Sequence, residues 1–562
     1  MLSKNNLQSL ISRSLDGATA PRVLSSVALV VVLAAFLFVL TSYIYGLAQP
    51  VRWPSLIYFY AAFVLTLFSK RWAIFCIIAS FPLIPDFHIQ LQYIKAPAVK
   101  YFFAHQGIDL IAGYVSARCL EKVSMSRQLK FEMPEIPWPL SLTLIVVAVS
   151  AGVSISRSLF HANTRFSVED LVTHGLQFKL MNRFNDYYPV ADVVLHAFAV
   201  LFILALIPIL KNSKEKDDLI FKPICISLII SAFWGLFQAL TSFGLPITTS
   251  QYRVESFGFG AHGFQPDLHA FAAHMLLGAV GLYGYIVTTE KSRLYKLGLG
   301  FICILCWVAL VLSKSRASLL FSIFCTLVLL MVFIAKHRKT ISPRTLLLIS
   351  LSFTFILIFT FFQTSHWLKE LYYALFQASD RSFDYLNQVS KFRLEFYTAA
   401  LRMWSEFPLF GLGQGSFFKL SAIQDFSGSP LMVSSKGENA HNYFLQTLAE
   451  VGLIGFVCYG IVFIWPLLGT SDKKHAMWPV GIAIVSIFLG NLYSHSLLIR
   501  ENLFLLAALT ALLYAHRASE DTFKGSKVAP WVLGLRTTIF VVIAISAAQE
   551  VLVSFHKPPF AP

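Results

Sequence analysis

The stretch Ala440–Phe456, AHNYFLQTLAEVGLIGF, decides how this chain is to be read. Its second half opens an apolar run that continues to Leu468, long enough for the ~20 residues that cross a hydrocarbon core. Its first half sets a histidine and an asparagine at the mouth of that helix. From Asn442, the residues Gln446 and Glu450 recur at helical spacing and share one face. Polar groups in hydrocarbon are costly unless paired, so this stripe is expected to face the bundle interior or a wet cavity. His441 then stands at the outer end of the stripe. There an imidazole with an ordinary pKa of ~6.5 suits proton acceptance.

The rest of the chain reads the same way. Of 562 residues, 56% are hydrophobic and 13% charged, with a mean hydropathy of +0.67. A soluble domain carries roughly 25% charged residues. The expected fold class is all-α, a polytopic transmembrane helical bundle of fifteen spans, or fourteen on a shorter count, from Val23–Leu47 to Leu533–Val553. The apolar runs are too long for a transmembrane barrel. The net charge of +16 is assigned to alternate short loops, among them Lys211–Lys216, Lys291–Lys296 and Lys473–Lys474, and not to nucleic-acid binding. By the positive-inside rule these loops are cytoplasmic. Two long segments then fall outside, 156–189 and 363–440. Within the second, His366–Phe376 and Phe392–Glu406 show helical apolar spacing. Pro408 ends the latter, and Gly411–Gly415 (GLGQG) makes a tight loop. The division expected is a cytoplasmic 1–22, a first bundle part 23–362, the external loop 363–440, bundle again over 441–517, and an extra C-terminal span and tail, 518–562.

Several groups are weighed for chemistry. Arg316, where a span enters from outside, offers a forked permanent cation suited to phosphate oxygens. A snorkelling anchor is the plainer reading, and it suits Lys314 better. Arg393 lies on the external helix near Arg381 and Arg402, a cation cluster suited to an anionic head group; Arg402 reads best as a solvated face. Asp192 with His196, Asp109 and His274 read as structural polar contacts within spans. The GLGQG loop follows no strand and does not read as a nucleotide loop. Cys303 and Cys306 have CxxC spacing inside a span, with no redox or zinc context. External loops lack metal-ligand spacing, so neither a metal nor a cofactor is expected.

His441-Asn442 followed by nine residues and Gly452-Leu453-Ile454-Gly455 resembles the histidine motif of bacterial O-antigen ligases. Arg316 with Leu320 resembles their RxxxL element. Arg393–Phe417 (RLEFYTAALRMWSEFPLFGLGQGSF) resembles the family's external segment, with Tyr397 where tryptophan is frequent. The resemblance spans about a quarter of the chain, Arg316 to Gly455. It implies a multi-pass enzyme of the bacterial inner membrane with its active site facing the periplasm. The donor implied is a polyprenyl-diphosphate-linked glycan, and the acceptor is lipid A core or another glycan, with membrane lipid around both. On this reading Arg316 and Arg393 hold the diphosphate and His441 is the general base of a metal-independent, inverting transfer. Asn442, Glu450, Arg381, Gly413 and Gly415 are expected around the substrate. A repeat-unit polymerase and a protein O-oligosaccharyltransferase stay open within the same superfamily. A transporter or flippase is the rival from another class, although no paired halves are seen.

Overall fold

The computed structural model describes residues 53–85, 106–125, 137–161, 188–241, 260–265, 268–337, 383–390, 392–468 and 474–518, with isolated positions between 354 and 376. Among the described residues there are helices and no strands, as the apolar runs require. The expected spans Val23–Leu47 and Leu533–Val553 lie outside the described residues, as does Leu346–Phe362 apart from isolated positions.

The bundle is built from α1 (Trp53–Phe68), α2 (Lys70–Ser80), α3 (Gln106–Met125), α4 (Trp138–His161), α5 (Tyr188–Lys211) and α6 (Lys216–Thr241). It continues with α7 (Leu268–Thr288), which contains a π-helical turn at Leu277–Gly281, then α8 (Arg293–Leu312) and α9 (Arg316–His337). Short extramembrane helices follow: α10 (Phe383–Val389), α11 (Arg393–Glu406), α12 (Phe417–Ser421), α13 (Gln424–Ser427) and α14 (Pro430–Ser434). The chain returns through α15 (Tyr443–Leu467), α16 (Lys474–Asn491) and α17 (Arg500–Ala518).

Among the described residues five helices are long and apolar enough to cross a membrane, and four shorter apolar helices accompany them. Their amphipathy is inverted relative to a soluble helix. On α8, Leu294, Leu297, Phe301, Ile304 and Val308 form an exposed stripe, while Leu299, Ile302, Cys306 and Ala309 are buried. A water-facing helix would carry polar residues on that outer stripe; lipid is the solvent that tolerates it.

The helix ends sort into two sides. α17 starts beside the turn after α16 and ends where His516 Nε2 meets Asp217 Oδ1 at 2.7 Å. Lys291, between α7 and α8, pairs with Asp218 at 3.0 Å and Glu215 at 3.1 Å on the same side. The basic segments Lys211–Lys216 and Lys291–Lys296 and the end of α17 therefore share one end of the bundle. The extramembrane helices α10–α14 sit at the other. There the predicted external helix is found as α11, with Phe396, Ala399, Ala400 and Met403 buried along one face. These pack with Phe417, Phe426 and Met432 into a small core of their own.

Candidate active site

One departure from the sequence reading organises the site. Asn442–Leu468 reads as one continuous span, but α15 is broken at Gly452, whose φ is 64° and ψ −174°. A helix would give the N–H groups of Leu453 and Ile454 to the carbonyls of Ala449 and Glu450. Instead Leu453 donates to Pro408 O (2.8 Å) and Ile454 to Leu409 O (3.1 Å). The freed carbonyls of Ala449 and Glu450 accept from Leu412 N and Gly413 N, both at 2.8 Å. The loop after α11 thus completes the broken helix bond for bond, and no backbone group is left unsatisfied by the exchange. The approach needs glycine: a methyl on Gly452 would overlap the Leu409 carbonyl, and one on Gly411 the Glu450 carbonyl. The GLGQG loop is a backbone clasp. Ser150 of α4 seals it, accepting from Gln414 N at 2.8 Å and donating to Glu450 O at 3.2 Å.

The polar stripe faces inward as expected, and both Gln446 and Glu450 are buried. Glu450 Oε1 accepts from Phe417 N at 3.1 Å and lies 3.5 Å from Gln446 Nε2. Gln446 Oε1 accepts from Ala440 N at 3.3 Å. Glu450 therefore ties the clasp and the start of α12 to α15. Gly413 sits with its α-carbon against Ser154, and Gly415 against Tyr188. A cleft opens beside them, lined by Asp192, Gln414, Gln446, Glu450 and Arg500 together with apolar side chains such as Phe418 and Leu503. Gln414 Nε2 donates to Asp192 Oδ2 across it.

Asn442 is the N-cap of α15, its Oδ1 accepting from Phe444 N and Leu445 N at 3.0 Å, the arrangement that makes asparagine favourable at a helix start. The Tyr397 phenol of α11 pairs with the Asn442 side chain, and burial pushes that phenol above its usual range. His441 precedes the cap in a left-handed backbone conformation, φ 50°. Its N–H donates to Asn439 Oδ1 at 2.8 Å. Its ring packs against Phe396 (4.9 Å between centroids) and edge-on to His495 (5.3 Å).

Arg393 is the first residue of α11. The N-terminus of that helix is pinned by Glu395, whose carboxylate accepts from Asn387 Nδ2 (2.9 Å), Ser429 Oγ (2.5 Å) and Leu431 N (3.1 Å). From there the guanidinium reaches back to the bundle. Nη1 makes a long 3.5 Å contact with His441 O, and Nη2 lies 3.0 Å from His269 Nε2. His269 stands near the start of α7, and its Nδ1 is 3.2 Å from Ser315 Oγ. Ser315 directly precedes Arg316, the first residue of α9. The Arg393 guanidinium thus touches the His441 backbone, and the His269–Ser315 link ties it to the turn that precedes Arg316. Arg402 donates to Asp425 O at 3.1 Å on the exposed face of α11. Arg381 lies outside the described residues. His196 bonds Asp192 O at 2.8 Å within α5, the structural contact expected of it.

The sequence reading misses His269, His495 and Tyr493. His269 carries the same signal as His441, a histidine at the mouth of an apolar run. What hides it is that nothing local says the two mouths meet.

No curated protein matches the chain. Residues 301–460 match the family described as O-antigen ligase, a segment that holds Arg316, Arg393, the glycine clasp and His441. The match over residues 301–460 supports a place for the chain in the O-antigen ligase/polymerase superfamily and, broadly, a membrane function in glycan transfer.

Proposed function

We propose that the protein transfers a glycan from a polyprenyl-diphosphate carrier to an acceptor hydroxyl at the periplasmic face of the bacterial inner membrane, as an O-antigen ligase acting on lipid A core. The observation that carries this reading is the position of the Arg393 guanidinium, 3.0 Å from His269 Nε2 and 3.5 Å from the His441 carbonyl. A permanent cation and an imidazole thereby share one end of the bundle, opposite the basic loops.

Glycosyl transfer from a diphosphate needs two things. The departing anion must be stabilised, and the acceptor hydroxyl must lose its proton. Arg393 and Arg316 serve the first as charge-assisted, forked donors. His441 serves the second as general base, a role typically worth ~10²–10⁴ in rate. Attack from the side opposite the diphosphate inverts the anomeric centre. An apolar groove lies next to the start of α15, lined by Phe444, Phe456, Phe488 and Leu506 among others, and its character suits the carrier's hydrocarbon chain. The α10–α14 helices cover the site and limit hydrolysis by water.

The test is a reconstituted reaction of purified protein with a lipid-diphosphate glycan and candidate acceptors. His441→Ala is expected to fold and insert but to lose transfer; normal transfer by that variant rules out the base assignment. Arg316→Lys keeps the charge and loses the fork, and a drop of roughly tenfold or more is expected, since each ~1.4 kcal/mol of lost stabilisation is tenfold. Product analysis separates the acceptors. Glycan on lipid A core identifies a ligase, an extended lipid-linked chain a polymerase, and a modified protein hydroxyl a protein glycosylating enzyme.

A further inference from the structure

Arg393 reaches the site from a helix outside the bundle, on a long and flexible stem. Something must hold its fork in place before substrate arrives. The group that does so is His269. A guanidinium has donors only, so at the 3.0 Å Nη2···Nε2 contact the histidine must accept. Nε2 therefore carries the lone pair, the ring is neutral, and Nδ1 carries the proton. That proton points at Ser315 Oγ, 3.2 Å away. Ser315 Oγ is in turn 2.7 Å from Ser318 Oγ, and Ser318 Oγ is bonded to the Tyr493 hydroxyl. Ser315, Ser318 and Tyr493 are all buried. Tyr493 is held rigid by stacking on Phe321, with centroids 5.5 Å apart and planes 13° apart. The far end of the relay is thus anchored in the packed interior.

We propose that His269 is a positioning residue for the glycan donor: its neutral, Nδ1-protonated ring locks the Arg393 fork and couples it, through Ser315, to the turn that carries Arg316. The proposal rests on the diphosphate-transfer reading above. One imidazole bridges the two elements that bear the candidate arginines, α11 outside the bundle and the entrance of α9 within it. A displacement of ~1 Å in a positioning group is enough to cost ~10²-fold in rate. Loss of the bridge is therefore felt first in binding of the donor.

The reconstituted wild-type protein is compared with His269→Leu and His269→Gln. Binding of a polyprenyl diphosphate carrying no sugar is measured by titration, and transfer is measured with donor and acceptor varied separately. Glutamine offers a carbonyl to Arg393 and an amide N–H to Ser315, the same two roles as the ring. His269→Leu is expected to weaken diphosphate binding and lower kcat/KM for the donor by about 10–100-fold, with the acceptor KM unchanged; His269→Gln restores both to within a few-fold. Ser315→Ala removes the Nδ1–H acceptor and leaves the ring in place, and is expected to weaken diphosphate binding several-fold. Wild-type behaviour of His269→Leu, equal impairment of the leucine and glutamine variants, or unchanged binding by Ser315→Ala each overturns the positioning role. A wild-type protein that neither binds the diphosphate nor transfers glycan instead overturns the reading on which it rests.

Discussion

His441 holds a left-handed backbone, φ 50°, at a cost of roughly 1–2 kcal/mol for a residue with a Cβ. The Asn439 side chain and the Arg393 guanidinium hold it there, one on the N–H and one on the carbonyl. Such strain lowers stability, a property distinct from the base role proposed for His441. The two are separable by substitution. His441→Gly is expected to melt higher in detergent than His441→Ala, by about 1 kcal/mol of stability, and both are expected to be inactive. Equal melting of the two variants would show that the backbone there is unstrained.

At the scale of elements, the unit of interest is the clasp between the loop after α11 and the break in α15. Its four exchanged backbone bonds join Pro408, Leu409, Leu412 and Gly413 to Ala449, Glu450, Leu453 and Ile454. A continuous helix would satisfy the same groups alone. The break instead fixes an extramembrane segment to a spanning helix and holds α11, and with it Arg393, over the mouth of α15. Gly452→Ala places a methyl where the Leu409 carbonyl lies, at a φ of 64°. The backbone must move, because no flexible side-chain end can yield. This variant is expected to lose several kcal/mol of stability and to show increased proteolysis between α11 and α15. A variant with wild-type melting and proteolytic resistance would mean that the clasp opens without cost.

For the whole molecule, the separation of the two ends matters most. The pairs Lys291–Asp218, Lys291–Glu215 and His516–Asp217 mark one end; the Arg393–His269–Ser315 chain and α10–α14 mark the other. Orientation in the membrane follows from which end carries the basic loops. In a background lacking native cysteines, Lys436→Cys is expected to react with an impermeant maleimide in spheroplasts. Lys214→Cys, exposed at the opposite end, is expected to react only after lysis. The reverse pattern would turn the site to the cytoplasm and leave the periplasmic reading untenable.

The sequence alone determined that the chain is a helical membrane bundle, because twenty-residue apolar runs admit no other backbone solution in lipid. It also determined the amphipathic helix α11, whose apolar spacing is local, and the inward polar stripe Gln446–Glu450, whose residues share a helix face. His441 and Arg316 stood out as candidates because each interrupts an apolar pattern at a helix end, and Arg393 because it sits among cations on an amphipathic helix. Tertiary structure alone decided that α15 is broken, since Gly452 in an apolar run looks like any small residue until another segment supplies its hydrogen bonds. It alone brought His269 to Arg393, two residues separated by 124 positions. Hydrophobic periodicity specifies which face of a helix turns inward; which helix ends meet is set by the packing of the whole bundle.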